Sequence, residues 1–217
     1  MAKPLFLKDY SVLSDIRNYV SRIHQIDNEA TVRVVAQGKV LAIYCAPLAH
    51  LTSTLPNLIG LRVFQLREPD DVDRLVPVAE FLDRIMQRNN ANYELKVPPQ
   101  DRVAAWAALE PPRAGWAKKN SISATQLQEI SAEGVNKIAE SLPENAGAPM
   151  IKNARDLVWG TSVTANSEKM YQGVAFLLVA LGFLIQEGEA VVYENVNWLR
   201  YSTPHGHVLV TESKQLL

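Results

Sequence analysis

The sequence predicts an α+β protein: a small antiparallel sheet with helices on one face, then three helices followed by a β-meander. Three observations carry this prediction. Apolar residues recur at helical spacing near the start and through most of the second half, whereas two early runs are rich in β-branched residues. Two diproline steps, Pro98-Pro99 and Pro111-Pro112, separate the halves. Finally, 217 residues with 47% hydrophobic content suffice for one large or two small packed cores.

In the first half, Asp9 or Ser11 caps a helix whose stripe is Val12, Leu13, Ile16, Tyr19, Val20 and Ile23. Thr31–Gln37 and Lys39–Ala46 straddle Gly38 and read as a hairpin. A turn-rich link leads to a third strand, Leu61–Leu66. Pro69-Asp70-Asp71 then starts a second helix with Val72, Leu75, Val76, Ala79, Leu82, Ile85 and Met86 inward, kinked at Pro77. Tyr93–Val97 adds an edge strand. The domain boundaries are 1–97 for this sheet domain, 98–122 for a Pro-rich connector, and 123–217 for the helical domain. The connector holds a short helix at Val103–Leu109, and Trp106 and Trp116 tie it to a domain.

The second half opens with Ser123 and Gln126, spaced as a capping box. Leu127, Ile130, Val135 and Ile138 follow at helical spacing. Pro149 stands where a second helix would begin, and a third runs from about Ser167 to Leu181, with Gly182 as a left-handed cap and Phe183 as its apolar contact. Ala190–Tyr193, Trp198–Ser202 and His207–Thr211 form the meander.

Three helices and a meander have the order of a winged helix, a topology that in some proteins binds DNA. Charge opposes that use. Residues 120–217 carry six bases against ten acids, a balance of −4, whereas residues 1–119 carry 16 bases against 13 acids, a balance of +3. A −4 half repels a phosphate backbone whose neutralisation dominates affinity, so nucleic acid is a disfavoured partner. The longest apolar run, Gly173–Ile185, is too short to span a membrane, and the start of the chain lacks a signal-peptide core, so the expectation is a cytoplasmic protein with no membrane partner.

Few residues suggest chemistry. His205 and His207 would chelate a metal from one face of a strand, but Pro204 and Gly206 favour a turn there, so they are weak metal candidates. Cys45 alternates with Leu41 and Ile43 and reads as a buried thiol, although His50 lies five residues on. Asp70, Asp71 and Asp73 complement a helix start. Arg33 and Arg62 both point away from the helices if Val32, Val34, Leu61 and Val63 point inward. No phosphate loop, nucleophile elbow, H-E-x-x-H or C-x-x-C motif is present, so no catalytic residue and no cofactor is assigned.

The strings Gly60-Leu61-Arg62-Val63, Pro111-Pro112-Arg113-Ala114-Gly115-Trp116, Ala180-Leu181-Gly182-Phe183-Leu184, Trp198-Leu199-Arg200-Tyr201 and Gly206-His207-Val208-Leu209 carry a resemblance. They resemble, in the same order, an uncharacterised family of conserved hypothetical proteins from high-GC Gram-positive bacteria. The resemblance implies a soluble cytoplasmic protein and supplies no site.

The reading that follows is a non-catalytic protein-interaction or regulatory protein, with another protein or a second copy as partner. The alternative is an enzyme or a binder of a small anionic or aromatic ligand in an inter-domain cleft, using Trp106, Arg113, Trp116, Trp198, Arg200 and His207. A winged-helix nucleic-acid binder is the third, disfavoured by charge.

Overall fold

The computed structural model describes residues 3–49, 56–87, 93–99 and 101–211. His50 lies outside the described residues. The protein is mixed α+β, with antiparallel sheets and, among the described residues, five α-helices, and it divides into two compact units. The first unit comprises Met1–Pro47 and Ile59–Glu110, and the second Leu48–Leu58 and Pro111–Leu217. Residues 98–110 therefore lie with the first unit and residues 111–122 with the second.

In the first unit, β1 (Leu5–Phe6) precedes α1 (Tyr10–Ile26). The Asp9 carboxylate accepts the Val12 N–H at 3.1 Å, satisfying one of the free donors of the first turn. Leu13, Ile16, Tyr19, Val20 and Ile23 are the buried stripe. β2 (Thr31–Cys45) pairs antiparallel with β3 (Asn57–Pro77) from Thr31↔Pro77 to Cys45↔Gly60. α2 (Val78–Met86) follows, and β4 (Glu94–Leu95) pairs with β1. A short 3₁₀ turn spans Ala105–Ala108.

Three expectations are corrected here. Gly38 is not a hairpin turn: β2 runs through it, and its φ of +57° serves a bulge between Gly38 and Val40. The second helix begins at Val78 and not at Pro69, because Val72, Leu75 and Val76 pair with β2 as strand. Pro69 sits in the irregular stretch opposite that bulge, where its missing N–H costs no ladder bond. Asp70 and Asp73 consequently meet cations across the strands: Lys3 Nζ lies 3.3 Å from Asp70, and Arg33 grips Asp73 with two bonds of 2.8 and 2.7 Å.

The bulge also changes which side chains point inward. Val32, Val34 and Ala36 are buried before it, and Leu41, Ile43 and Cys45 after it, so the inward set switches from even to odd numbers. Arg62 pairs opposite Ile43 and thus faces the helix side, where it meets Asp15 of α1 at 2.9 Å. Its expected outward orientation is therefore wrong, while Val63 is the exposed neighbour.

In the second unit, β5 (Ala117–Ser123) leads into α3 (Ala124–Ser141), whose cap is the Ser123 hydroxyl accepting the Gln126 N–H at 3.3 Å. α4 (Ala148–Trp159) carries Pro149 in its first turn. The helix expected from Ser167 is instead a hairpin, β6 (Ser162–Ala165) and β7 (Glu168–Tyr171), followed by a shorter α5 (Gln172–Ala180). Asn166 and Ser167 both have positive φ, 46° and 65°, which suits a two-residue hairpin turn and not a helix. At the other end Gly182 takes a φ of 72°, the Phe183 N–H reaches Leu178 O at 2.9 Å, and Phe183 is fully buried. β8 (Glu189–Asn195), β9 (Trp198–Thr203) and β10 (Gly206–Thr211) complete the unit in the order β10-β9-β8-β5. No described helix is long and apolar enough to cross a membrane.

Candidate binding face of the second unit

Strand register sorts the side chains of β8, β9 and β10 onto two faces. Ala190, Val192, Tyr201, Val208 and Val210 are buried on one, and α5 packs against β10. Directly opposed residues share a face, so Val191↔Ser202, Tyr193↔Arg200, His207↔Ser202 and Leu209↔Arg200 place all six side chains on the other.

This second face carries a cleft of about 390 Å³. Glu189, Val191 and Tyr193 line it along β8, Ser202-Thr203-Pro204 along the end of β9, and Ile185 and Gly188 close one end. The β9–β10 turn is Pro204-His205, since Thr203 pairs with Gly206. Gly206 therefore belongs to the strand. A Cβ there would stand 2.5 Å from the Phe183 ring, so the residue is set by close packing and not by the turn.

Beside the cleft, the Arg200 guanidinium lies 4.5 Å from the Trp116 ring centroid and 4.6 Å from that of Tyr193. Trp116 is held over the sheet by its own N–H, which donates to Pro112 O at 2.9 Å, and by Asn195, whose amide donates to Ala114 O at 2.8 Å. Burial lowers the Arg200 pKa from its ordinary value, and Arg200 Nε is buried without a hydrogen-bond partner. His207 Nδ1 and Ser202 Oγ are 3.0 Å apart. Burial, with the Arg200 charge second, pushes the imidazole pKa down to about 4.

The structure thus brings Trp116, Arg200 and His207 onto one face. Trp198 starts β9 and is buried, while Arg113 is exposed in the segment that carries Trp116. Trp106 belongs to the first unit, where its N–H donates to Thr31 Oγ1 at 3.3 Å. Tyr193, Val191 and Ser202 were not singled out from the sequence. Their role depends on register, and the alternation in Ala190–Tyr193 was the available signal.

The Ser202–His207 pair is a poor nucleophile–base couple. A serine beside a histidine needs an imidazole able to take a proton near neutral pH. His207 is a much weaker base, and its charged neighbour is a cation. His205 stands in the turn and His207 on the strand, so the two do not chelate as a strand pair. Among the described residues no group of three metal-ligating side chains is present. Cys45 is a free, buried thiol 3.3 Å from Tyr19 Oη, its pKa pushed up to about 12 by burial.

The fold is similar to that of bacterial DNA sliding clamps. The clamp of Bartonella birtlesii, bound to griselimycin, matches with a TM-score of 0.56 at 12% identity, over 99% of this chain and 66% of that one. The DNA polymerase III subunit beta of Borrelia burgdorferi, in complex with a natural product, gives 0.53 at 10% over 92% and 62%. The Helicobacter pylori β clamp bound to a DNA ligase peptide gives 0.51 at 12% over 97% and 65%. The chain thus spans slightly less than two thirds of the clamps it matches, and at these identities the likeness is one of fold. Residues 1–108 match the family model Domain of unknown function (DUF8010), and residues 111–215 match Domain of unknown function (DUF8185). Two uncharacterised domain families therefore account for nearly the whole chain. No curated protein matches it.

Proposed function

We propose that this is a non-catalytic interaction protein, cytoplasmic, that takes an extended segment of a protein partner into the cleft on the open face of β8 and β9. The observation that carries this reading is the cleft itself. It is a trough of about 390 Å³ on the sheet face away from α5, lined by Val191 and Tyr193 with a polar margin at Ser202 and Thr203. Such a trough suits alternating side chains of an extended peptide. Support comes also from the likeness in fold to clamps, one of them bound to a DNA ligase peptide. The −4 balance of residues 120–217 favours a protein over a nucleic-acid partner. A winged-helix-like topology for this unit is part of the proposal, supported only by the order α3, α4, α5 and meander, with β5 and the β6–β7 hairpin as additions.

The test is selection from a random peptide display library against the full chain, followed by affinity measurement on wild type and Val191→Trp. Selected peptides bind wild type and lose at least about tenfold in affinity with Val191→Trp, whose uncharged ring system fills the trough. Peptides that bind both proteins equally, or no enrichment after selection, would overturn the reading.

A further inference from the structure

The open face of the second unit holds a cation whose surroundings do not neutralise it. In the first unit, Arg33, Arg62, Arg67, Arg74 and Arg102 each meet a carboxylate, at 2.7–3.5 Å. Arg200 meets none among the described residues, and its contacts are the rings of Trp116 and Tyr193. We propose that Arg200 anchors a carboxylate of the peptide segment that enters the cleft, so that the partner is an acidic peptide. This rests on the peptide reading above and adds the charge of the ligand to it.

Geometry selects a carboxylate over an aromatic group. The rings of Trp116 and Tyr193 already take the cation's π contacts. With Nε buried, what Arg200 has left to offer is the pair of Nη N–H groups at the tip of the guanidinium, which meets the two oxygens of a carboxylate end-on. The position fits as well. Tyr193, directly opposite Arg200 in register, is a cleft residue, so the cation stands at one end of the trough. Burial first, and then repulsion from the Arg200 charge, lower the His207 pKa on this same face. At the far end stands Glu189, four residues along β8 from Tyr193, a distance of about 13 Å in a strand. A segment with an acid at the Arg200 end and a base about four residues away near Glu189 would enter in one direction only.

The test has two arms, both on the full chain. In the first, ¹⁵N-labelled protein is titrated with N-acetyl-aspartyl amide and with the neutral N-acetyl-asparaginyl amide, and the Arg200 Nε–H resonance is followed, assigned by its loss in Arg200→Lys. The expected result is a saturable shift with the acid and none with the neutral probe. No shift, or equal shifts, would overturn the anchor. In the second, a display library is selected on wild type, and binding is measured on wild type, Arg200→Gln and Arg200→Lys. Enrichment of Asp or Glu is expected, with affinity falling about ten- to hundredfold in Arg200→Gln. Arg200→Lys, which keeps the charge and loses the fork, should fall about tenfold. Peptides without acids that bind Arg200→Gln as well as wild type would overturn the anchor and leave the cleft reading standing. A response of Arg200 to the acid with no peptide enriched would do the reverse.

Discussion

The depressed pKa of His207 makes a prediction about stability against pH. The imidazole titrates at about 4 in the folded protein and near 6.5 when unfolded. Between those values the unfolded chain holds the proton more tightly, so acid favours unfolding. The contribution is fully present above pH 6.5 and is lost as pH falls toward 4. A gap of about 2.5 pKa units corresponds to about 3 kcal/mol at most, and about 2 kcal/mol of it is gone by pH 5. Carboxylates titrate in the same range, so the readout must be a difference between two proteins. His207→Asn places an amide near Nδ1, within reach of Ser202, and cannot take up a proton. Urea denaturation of both proteins at pH 7.5 and 5.0 should show wild type losing about 2 kcal/mol more than the variant. Parallel losses, within about 0.5 kcal/mol, would refute the claim that burial and Arg200 press on His207.

Four further predictions concern the core and the site. Gly206→Ala forces a methyl group against the buried Phe183 ring and should cost about 1–3 kcal/mol in urea denaturation. Gly38→Ala meets no atom within 4 Å and should cost about 1 kcal/mol, from its φ alone, so equal costs would contradict the packing difference. Native Cys45 should resist alkylation at pH 7.5 and react once denatured, and fast labelling of the native chain would show that it is not buried. Ser202, paired with so weak a base, should stay unlabelled by a fluorophosphonate under conditions that label serine hydrolases, and stoichiometric labelling would reopen the catalytic reading.

Local signals proved legible in the sequence. Asp9, the Ser123–Gln126 pair, Pro149 and the Gly182–Phe183 cap each act within a turn of their own helix, and each does what its spacing suggested. Pairing over distance was hidden. Gly38 and Pro69-Asp70-Asp71 look like local punctuation, yet they belong to one long bulged ladder whose partner lies some 30 residues away. The bulge then inverted the facing of Arg62, which no alternation counted from one strand alone reveals. The β6–β7 hairpin was concealed because β7 runs directly into the apolar α5.

The site shows the same division. Trp116, Arg200 and His207 could be picked out as aromatic and cationic residues on the connector and meander, whereas Tyr193 acquires its place only when register sets it opposite Arg200. Trp106, alike in type, is spent on the first unit's sheet through Thr31.

The peptide-binding claim is tested most directly by mapping. A display-selected peptide is titrated into the ¹⁵N-labelled full chain and the backbone resonances are followed. The largest shifts should fall on Glu189–Tyr193, Arg200–Thr203 and Ile185–Gly188, which line or flank the cleft, with α3 and α4 little changed. Shifts concentrated on α3 and α4 or on the first unit, with the β8–β9 face unmoved, would contradict it.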